Sequence, residues 1–374
     1  MLGAGVFVAF APAAAAAGSG LLVALAVAAF VAYCNASSSA RLAARYPESG
    51  GTYIYGREQL GEWWGFAAGW GFIVGKIASC AAMALVFASY VAPGYEKLVA
   101  IGAVAVLATV NYRGITRTAA LTRVLLVIVL AVLATVVVLG LPSARWQPVV
   151  WDAGGILQAA GLLFFAFAGY ARIATMGEEV RDPRRTIPRA ILAALGAAVL
   201  IYLIVGGTVL GVLGPERLAQ SSAPLADVLA ATGNPSVIAR IGAAAASLGA
   251  LLALIAGVGR TSLAMARKGD LPSVLAAVHP RFSVPHKAEV VVAVVVCGLI
   301  LAFDVRGAIG FSSFGVLVYY AIANASAFRM DRSWVAVAGL AGCLALVVFL
   351  PLSSVLIGLG VFAAGLLGRF ILQR

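Results

Sequence analysis

Runs of about twenty apolar residues recur along the whole chain, and each is long enough to cross the hydrocarbon core of a bilayer. Inside lipid no water is available to backbone N–H and C=O groups, so such runs must be helices that satisfy those groups within their own segment. The composition leaves no soluble alternative. Of 374 residues, 63% are hydrophobic and 11% charged, and mean hydropathy is +1.04. A soluble domain carries roughly 45–50% apolar and about 25% charged residues. The spacing of the runs predicts about twelve spans, at roughly 1–17, 19–43, 62–91, 97–111, 119–141, 154–177, 190–213, 236–264, 288–304, 307–328, 334–350 and 353–370. Ala13 to Ala17 resembles a signal-peptide cleavage region, but no basic stretch precedes it, so the first run is read as a span.

The basic residues set the orientation. With the first connection outside and strict alternation, the inside connections collect Arg41, Arg45, Arg57, Arg113, Arg117, Arg123, Arg181, Arg184, Arg185, Arg189, Arg267, Lys268, Arg281, Lys287, Arg329 and Arg332, with Arg369 and Arg374 at the C-terminus. The outside connections hold Lys97, Arg145, Arg217 and Arg306. This asymmetry predicts an inner-membrane, multi-pass protein with a cytoplasmic C-terminus. It also explains the net charge of +12 without nucleic acid, which is not an expected partner.

Cys34, Cys80, Cys297 and Cys343 lie in four different apolar runs, without metal spacing or a disulfide framework, and read as small buried side chains. His279 and His286 share one basic inside loop with Pro280 and Pro285 and no acidic or thiol cluster, so no metal is expected. No P-loop or nucleophile elbow is present, and no cofactor or enzymatic activity is expected. In the third run Gly61, Gly65 and Gly69 recur every fourth residue, and Gly71, Gly75 and Ser79 repeat the pattern on another face. Small residues at that spacing let helix backbones approach, which predicts a central position for this helix.

Two glycine-containing interruptions mark a candidate site. Leu2-Gly3-Ala4-Gly5-Val6-Phe7 opens the first run, and Phe164-Phe165-Ala166-Phe167-Ala168-Gly169-Tyr170 lies within the sixth. A broken membrane helix exposes N–H groups at one half-helix end, where a carboxylate fits, and carbonyls at the other, where an ammonium fits. The breaks fall five spans apart, as an inverted repeat of five plus five helices places them.

The sequence resembles bacterial permeases of the amino acid–polyamine–organocation superfamily. The resemblance is carried by Leu2 to Phe7; by Arg45-Tyr46-Pro47-Glu48-Ser49-Gly50-Gly51-Thr52-Tyr53; by Asn111-Tyr112-Arg113-Gly114; by Phe164 to Gly169 with Gly177 to Pro183 and Thr186 to Arg189; and by Arg260, Ala264 to Arg267, Leu271-Pro272 and His279 to Phe282. It runs in order from residue 2 to about 328 and is generic beyond. It implies an all-α polytopic fold: a five-plus-five inverted repeat of the LeuT type over residues 1–328 (repeats 1–141 and 154–328), followed by two peripheral C-terminal helices at 334–374. It implies an alternating-access carrier, with the backbone at Gly3, Ala4 and Gly5 meeting a substrate carboxylate. The backbone from Phe164 through Ala166 to Gly169 would meet the amino group, with Phe167 as a gate or side-chain contact. Glu178 and Glu179 would join Arg181, Arg184 and Arg185 in a loop network. Three features depart from the resembled pattern. The sequence begins almost at the first break, the run around Val129 has no lysine, and Ala171 followed by Arg172 stands where some members carry an acidic residue.

All fourteen carboxylates fall in loops or near span ends, whereas Lys76 lies about 20 Å into the third run at 1.5 Å per residue. A lysine at that depth is a functional candidate by default. Three roles are open to it: accepting a coupling proton, pairing with the substrate carboxylate, or bonding the carbonyls of a broken helix. Arg172, nearer the inner surface, can snorkel. The expected function is secondary transport of an amino acid or related organic amine across the bilayer, by exchange or with protons as coupling ion. The alternative is a membrane sensor or partner subunit that binds an amino acid without moving it.

Overall fold

The computed structural model describes residues 3–46, 50–114, 119–169 and 182–372. Arg172, Glu178 and Glu179 lie outside them. Among the described residues the apolar runs form helix and no strand occurs. The helices are α1 (Gly5–Val8), α2 (Phe10–Ala17), α3 (Leu21–Arg45), α4 (Thr52–Leu60), α5 (Glu62–Val91), α6 (Glu96–Tyr112), α7 (Ala119–Gly140), α8 (Ala153–Phe167), α9 (Pro183–Gln220), α10 (Pro224–Ala231), α11 (Val237–Arg267), α12 (His286–Ala302), α13 (Val305–Asp331), α14 (Trp334–Phe349) and α15 (Leu352–Leu372). Among the described residues, seven helical stretches are long and apolar enough to cross a membrane. Two shorter apolar helices, α8 and α14, accompany them.

Backbone chemistry sets where the helices stop. Ala9 keeps helical angles between α1 and α2, so the two run almost continuously from Gly5 to Ala17. Gly18, at φ +54°, then ends the segment in a conformation that side-chain-bearing residues avoid. Pro215 bends α9 at Gly214, because it has no N–H to offer the Gly211 carbonyl one turn back. The backbone N–H of Arg145 takes that carbonyl instead, at 2.7 Å.

The centre of the bundle is the crossing of α5 and α13. The apolar stretches of both are 89% buried, against 28% for α7 and 17% for α15. The small residues of α5 explain the close approach. A Cβ on Gly75 would meet the Val316 backbone nitrogen at 3.0 Å, and one on Gly315 would meet Gly75 Cα at 2.8 Å. One turn further along, the Ser79 and Ser312 hydroxyls hydrogen-bond at 2.7 Å. On the other face of α5, Gly65 packs on Tyr53 and Arg57 of α4, and Gly69 on Met265 of α11.

A second polar joint ties α3, α13 and α14. The Asn324 amide donates to Asn35 Oδ1 at 2.6 Å, and the Cys343 thiol donates to the same oxygen at 3.3 Å. Cys343 is therefore a hydrogen-bonding member of the core as well as a small filler. The outermost helix, α15, touches the centre through Phe362, which stacks edge-on against Phe314 at 5.7 Å, and through the Val361 carbonyl, which accepts from Trp70 Nε1 at 3.0 Å.

The α5–α13 crossing makes a direct prediction. Gly75→Leu forces two backbones apart and should lower stability by about 1–3 kcal/mol, the usual cost of overpacking. Gly102→Leu, whose Cβ position meets no neighbour, should leave the thermal melt in detergent unchanged. Equal melting temperatures for the two variants would contradict the close crossing.

Candidate functional site

The two interruptions meet. A Cβ on Gly5 would lie 2.7 Å from Ala166 Cα and 2.8 Å from Ala166 Cβ, so α1 rests directly on the last turn of α8. Gly3 faces α11, where its Cβ position is 3.6 Å from Ala250 Cβ. Ala4, Gly5, Phe164, Ala166 and Phe167 are buried, whereas Gly169 is exposed. The α-helix ends at Phe167 and tightens into a 3-10 turn at Ala168–Gly169.

Stopping a helix there strands its last carbonyls in an apolar interior. Side chains from neighbouring helices take them. Lys76 Nζ, on α5, donates to the Ala168 carbonyl at 2.9 Å. The Tyr202 hydroxyl, on α9, donates to the Ala166 carbonyl at 3.0 Å, with its ring 5.1 Å from that of Phe167. The α1 segment is held in the same way. The Tyr90 hydroxyl donates to the Phe7 carbonyl at 2.7 Å and accepts the Leu225 N–H at 3.3 Å. A cation at a helix C-terminus also complements the helix dipole.

At the end of the bundle formed by α4 and the start of α5, Tyr53, Gly69, Phe72, Thr261 and Tyr319 meet closely. Beside them lies a buried ionic knot. Asp270 accepts from the Tyr53 hydroxyl at 2.6 Å and from Arg57 at 3.0 Å, and its other oxygen forms an ion pair with Arg369 at 2.8 Å. Arg57 also pairs with Glu62 at 2.7 Å. The Arg369 guanidinium lies 4.5 Å from the Trp63 ring centroid and 5.2 Å from that of Phe66. Asp270 and Arg369 are each 1% exposed. Burial, then the bond to Asp270, raises the Tyr53 phenol well above its ordinary pKa, so it stays protonated and keeps donating. At the opposite end of α3, a cleft is lined by Ser19, Leu22, Arg145, Trp146, Leu210 and Pro215.

The start of α1 rests on the end of α8 inside a helical membrane bundle, and the sequence model described as amino acid permease matches residues 1–363. The chain belongs to the amino acid permease family. An uncharacterized transporter of Mycobacterium tuberculosis is 59% identical over 379 residues, covering 98% of this chain and 86% of the relative. A branched-chain amino acid permease of Bacillus subtilis is 28% identical over 319 residues, covering 77% and 68%. Cationic amino acid transporter 4 of Homo sapiens is 28% identical over 339 residues, covering 81% of this chain and 53% of that protein. The family and these relatives make the protein a multi-pass membrane transporter of the amino acid–polyamine–organocation superfamily, not an enzyme.

Within this permease the structure brings Gly5 and Ala166 together and puts Lys76 on the Ala168 carbonyl, two residues further on. It sets Phe167 against Tyr202, fully buried, and Gly3 against α11. The sequence reading missed Tyr90 and Tyr202. A tyrosine within an apolar run carries a hydroxyl that must find a partner, which was the available signal. It also treated Arg369 as one more positive charge, because nothing in the sequence ties it to Asp270.

The ionic knot yields a stability prediction. Removing one partner of a buried pair costs about 3–5 kcal/mol, because the other charge is left unpaired. Asp270→Ala and Arg369→Ala should each destabilise the permease strongly in chemical or thermal unfolding. The double variant should lose clearly less than the sum of the two. Additive losses would mean that the two residues do not act as a pair.

Proposed function

We propose that this permease is a secondary active transporter that moves an amino acid or related organic amine across the inner membrane by alternating access, through exchange or proton coupling. The substrate lies beside the meeting point of the two breaks, between Gly3, Ala4 and Gly5 on one side and Phe164, Ala166, Phe167 and Gly169 on the other. The carrying observation is the contact of Gly5 with Ala166, because it unites the two glycine-containing segments that the sequence marks as the candidate site. Residues 1–328 form the ten-helix transport core as two inverted repeats, the last two helices flank it, and the whole comprises about twelve spans. The basic connections and the C-terminus face the cytoplasm. Arg172 belongs to the segment after the α8 break and is a second charge candidate beside Lys76.

The relatives named for branched-chain and cationic amino acids support the substrate class. The ionic knot then belongs to the inner mouth, which must part to release substrate inward. Counterflow tests the proposal: the purified full chain in proteoliposomes, preloaded with a mixture of unlabelled amino acids, should accumulate at least one labelled amino acid at several times the rate of protein-free vesicles. Binding of an amino acid in detergent without counterflow or net uptake would favour a sensor over a carrier.

A further inference from the structure

Three carbonyls of the two glycine-containing segments are already bonded by the protein's own side chains. Ala168 is held by Lys76, Ala166 by Tyr202 and Phe7 by Tyr90. The cation at the end of α8 is therefore a resident one, tethered to α5. Both buried carboxylates among the described residues lie elsewhere. Asp270 sits in the ionic knot, and Glu289 packs on Gly259 of α11. Among the described residues no carboxylate pairs with Lys76, which is 5% exposed and bonded to a neutral oxygen.

Resting on the transport reading above, we infer that Lys76 is a specificity-determining residue: it admits ligands that carry a carboxylate and no net positive charge, and it excludes cationic amino acids and amines without a carboxylate. The argument is electrostatic. A second ammonium about 4 Å from Lys76 is disfavoured by roughly a thousandfold at an effective dielectric constant of about 20. A carboxylate at the same distance is favoured by a comparable factor and needs no displacement of the lysine from the Ala168 carbonyl. An ammonium, by contrast, has to share the Ala168, Ala166 and Phe7 carbonyls with the side chains that already bond them. The site thus reads the acid end of an amino acid and needs its α-amino group less.

The test is competition for uptake into proteoliposomes by matched probes. L-Alanine, L-leucine and L-glutamine are each compared with their α-methyl esters, which keep the ammonium and lose the carboxylate, and L-arginine and putrescine are added. The wild type should prefer at least one free neutral amino acid over its ester, over arginine and over putrescine by at least about tenfold. Lys76→Arg, which keeps the charge, should preserve that ratio. Lys76→Met should shrink it to within about threefold. Ester or arginine competing as well as the free neutral amino acid in the wild type overturns the inference and leaves transport standing. So does a ratio unchanged in a Lys76→Met protein that still takes up substrate. If Lys76→Met does not fold, the wild-type and Lys76→Arg ratios decide by themselves. No counterflow of any amino acid by the wild type removes the transport reading, and this inference with it.

Discussion

A helix that ends inside an apolar bundle leaves carbonyls that water cannot reach, and the rest of this structure follows from how they are satisfied. α8 stops at Phe167, and Lys76 and Tyr202 reach in from α5 and α9 to take its Ala168 and Ala166 carbonyls. Those bonds tether α5 and α9 to the end of α8, whose body packs on α2, α3, α13 and α14. The position of α5 in turn fixes α13, through the Gly75–Gly315 crossing. A lysine is costly in such an interior, where it loses its hydration. Here its ammonium gains a carbonyl at the negative end of a helix, the environment most able to replace water. The same bond makes Lys76 the resident positive charge beside the meeting point of the two breaks.

Much of this was legible in the sequence because it depends on local pattern. Apolar runs of bilayer length announce helices, the four-residue spacing of glycines announces the buried faces of α5, and the segments Gly3–Gly5 and Phe164–Gly169 announce interruptions. The depth of Lys76 followed from counting residues along one helix. What remained hidden depends on pairs of residues distant in the chain. Asp270 and Arg369 lie on different elements, and each alone reads as an ordinary loop or terminal charge. The Asn35–Asn324–Cys343 joint is hidden for the same reason, since each member is a single polar residue in an otherwise apolar run. In an apolar interior such residues must find partners, but periodicity does not say which.

The ends of the bundle are built differently. At one, the Tyr53 ring lies beside the Phe72–Tyr319 ring pair, and its hydroxyl binds the buried Asp270. The ionic knot extends to α15 through Arg369, whose guanidinium is stacked between Asp270 and the rings of Trp63 and Phe66. The last helix, though mostly exposed, is thus anchored to the closure of that end. The other end, by contrast, carries a cleft around Trp146 and Pro215, where the bend of α9 opens the surface.

An experimental structure of the full chain in a lipid nanodisc, solved with the amino acid that it exchanges, tests the central claim most directly. The claim predicts ligand density between Gly3–Gly5 and Phe164–Gly169, with its carboxylate within about 3 Å of the Lys76 ammonium. Density elsewhere in the bundle, with Gly5 still resting on Ala166 and Lys76 remote from the ligand, would contradict it.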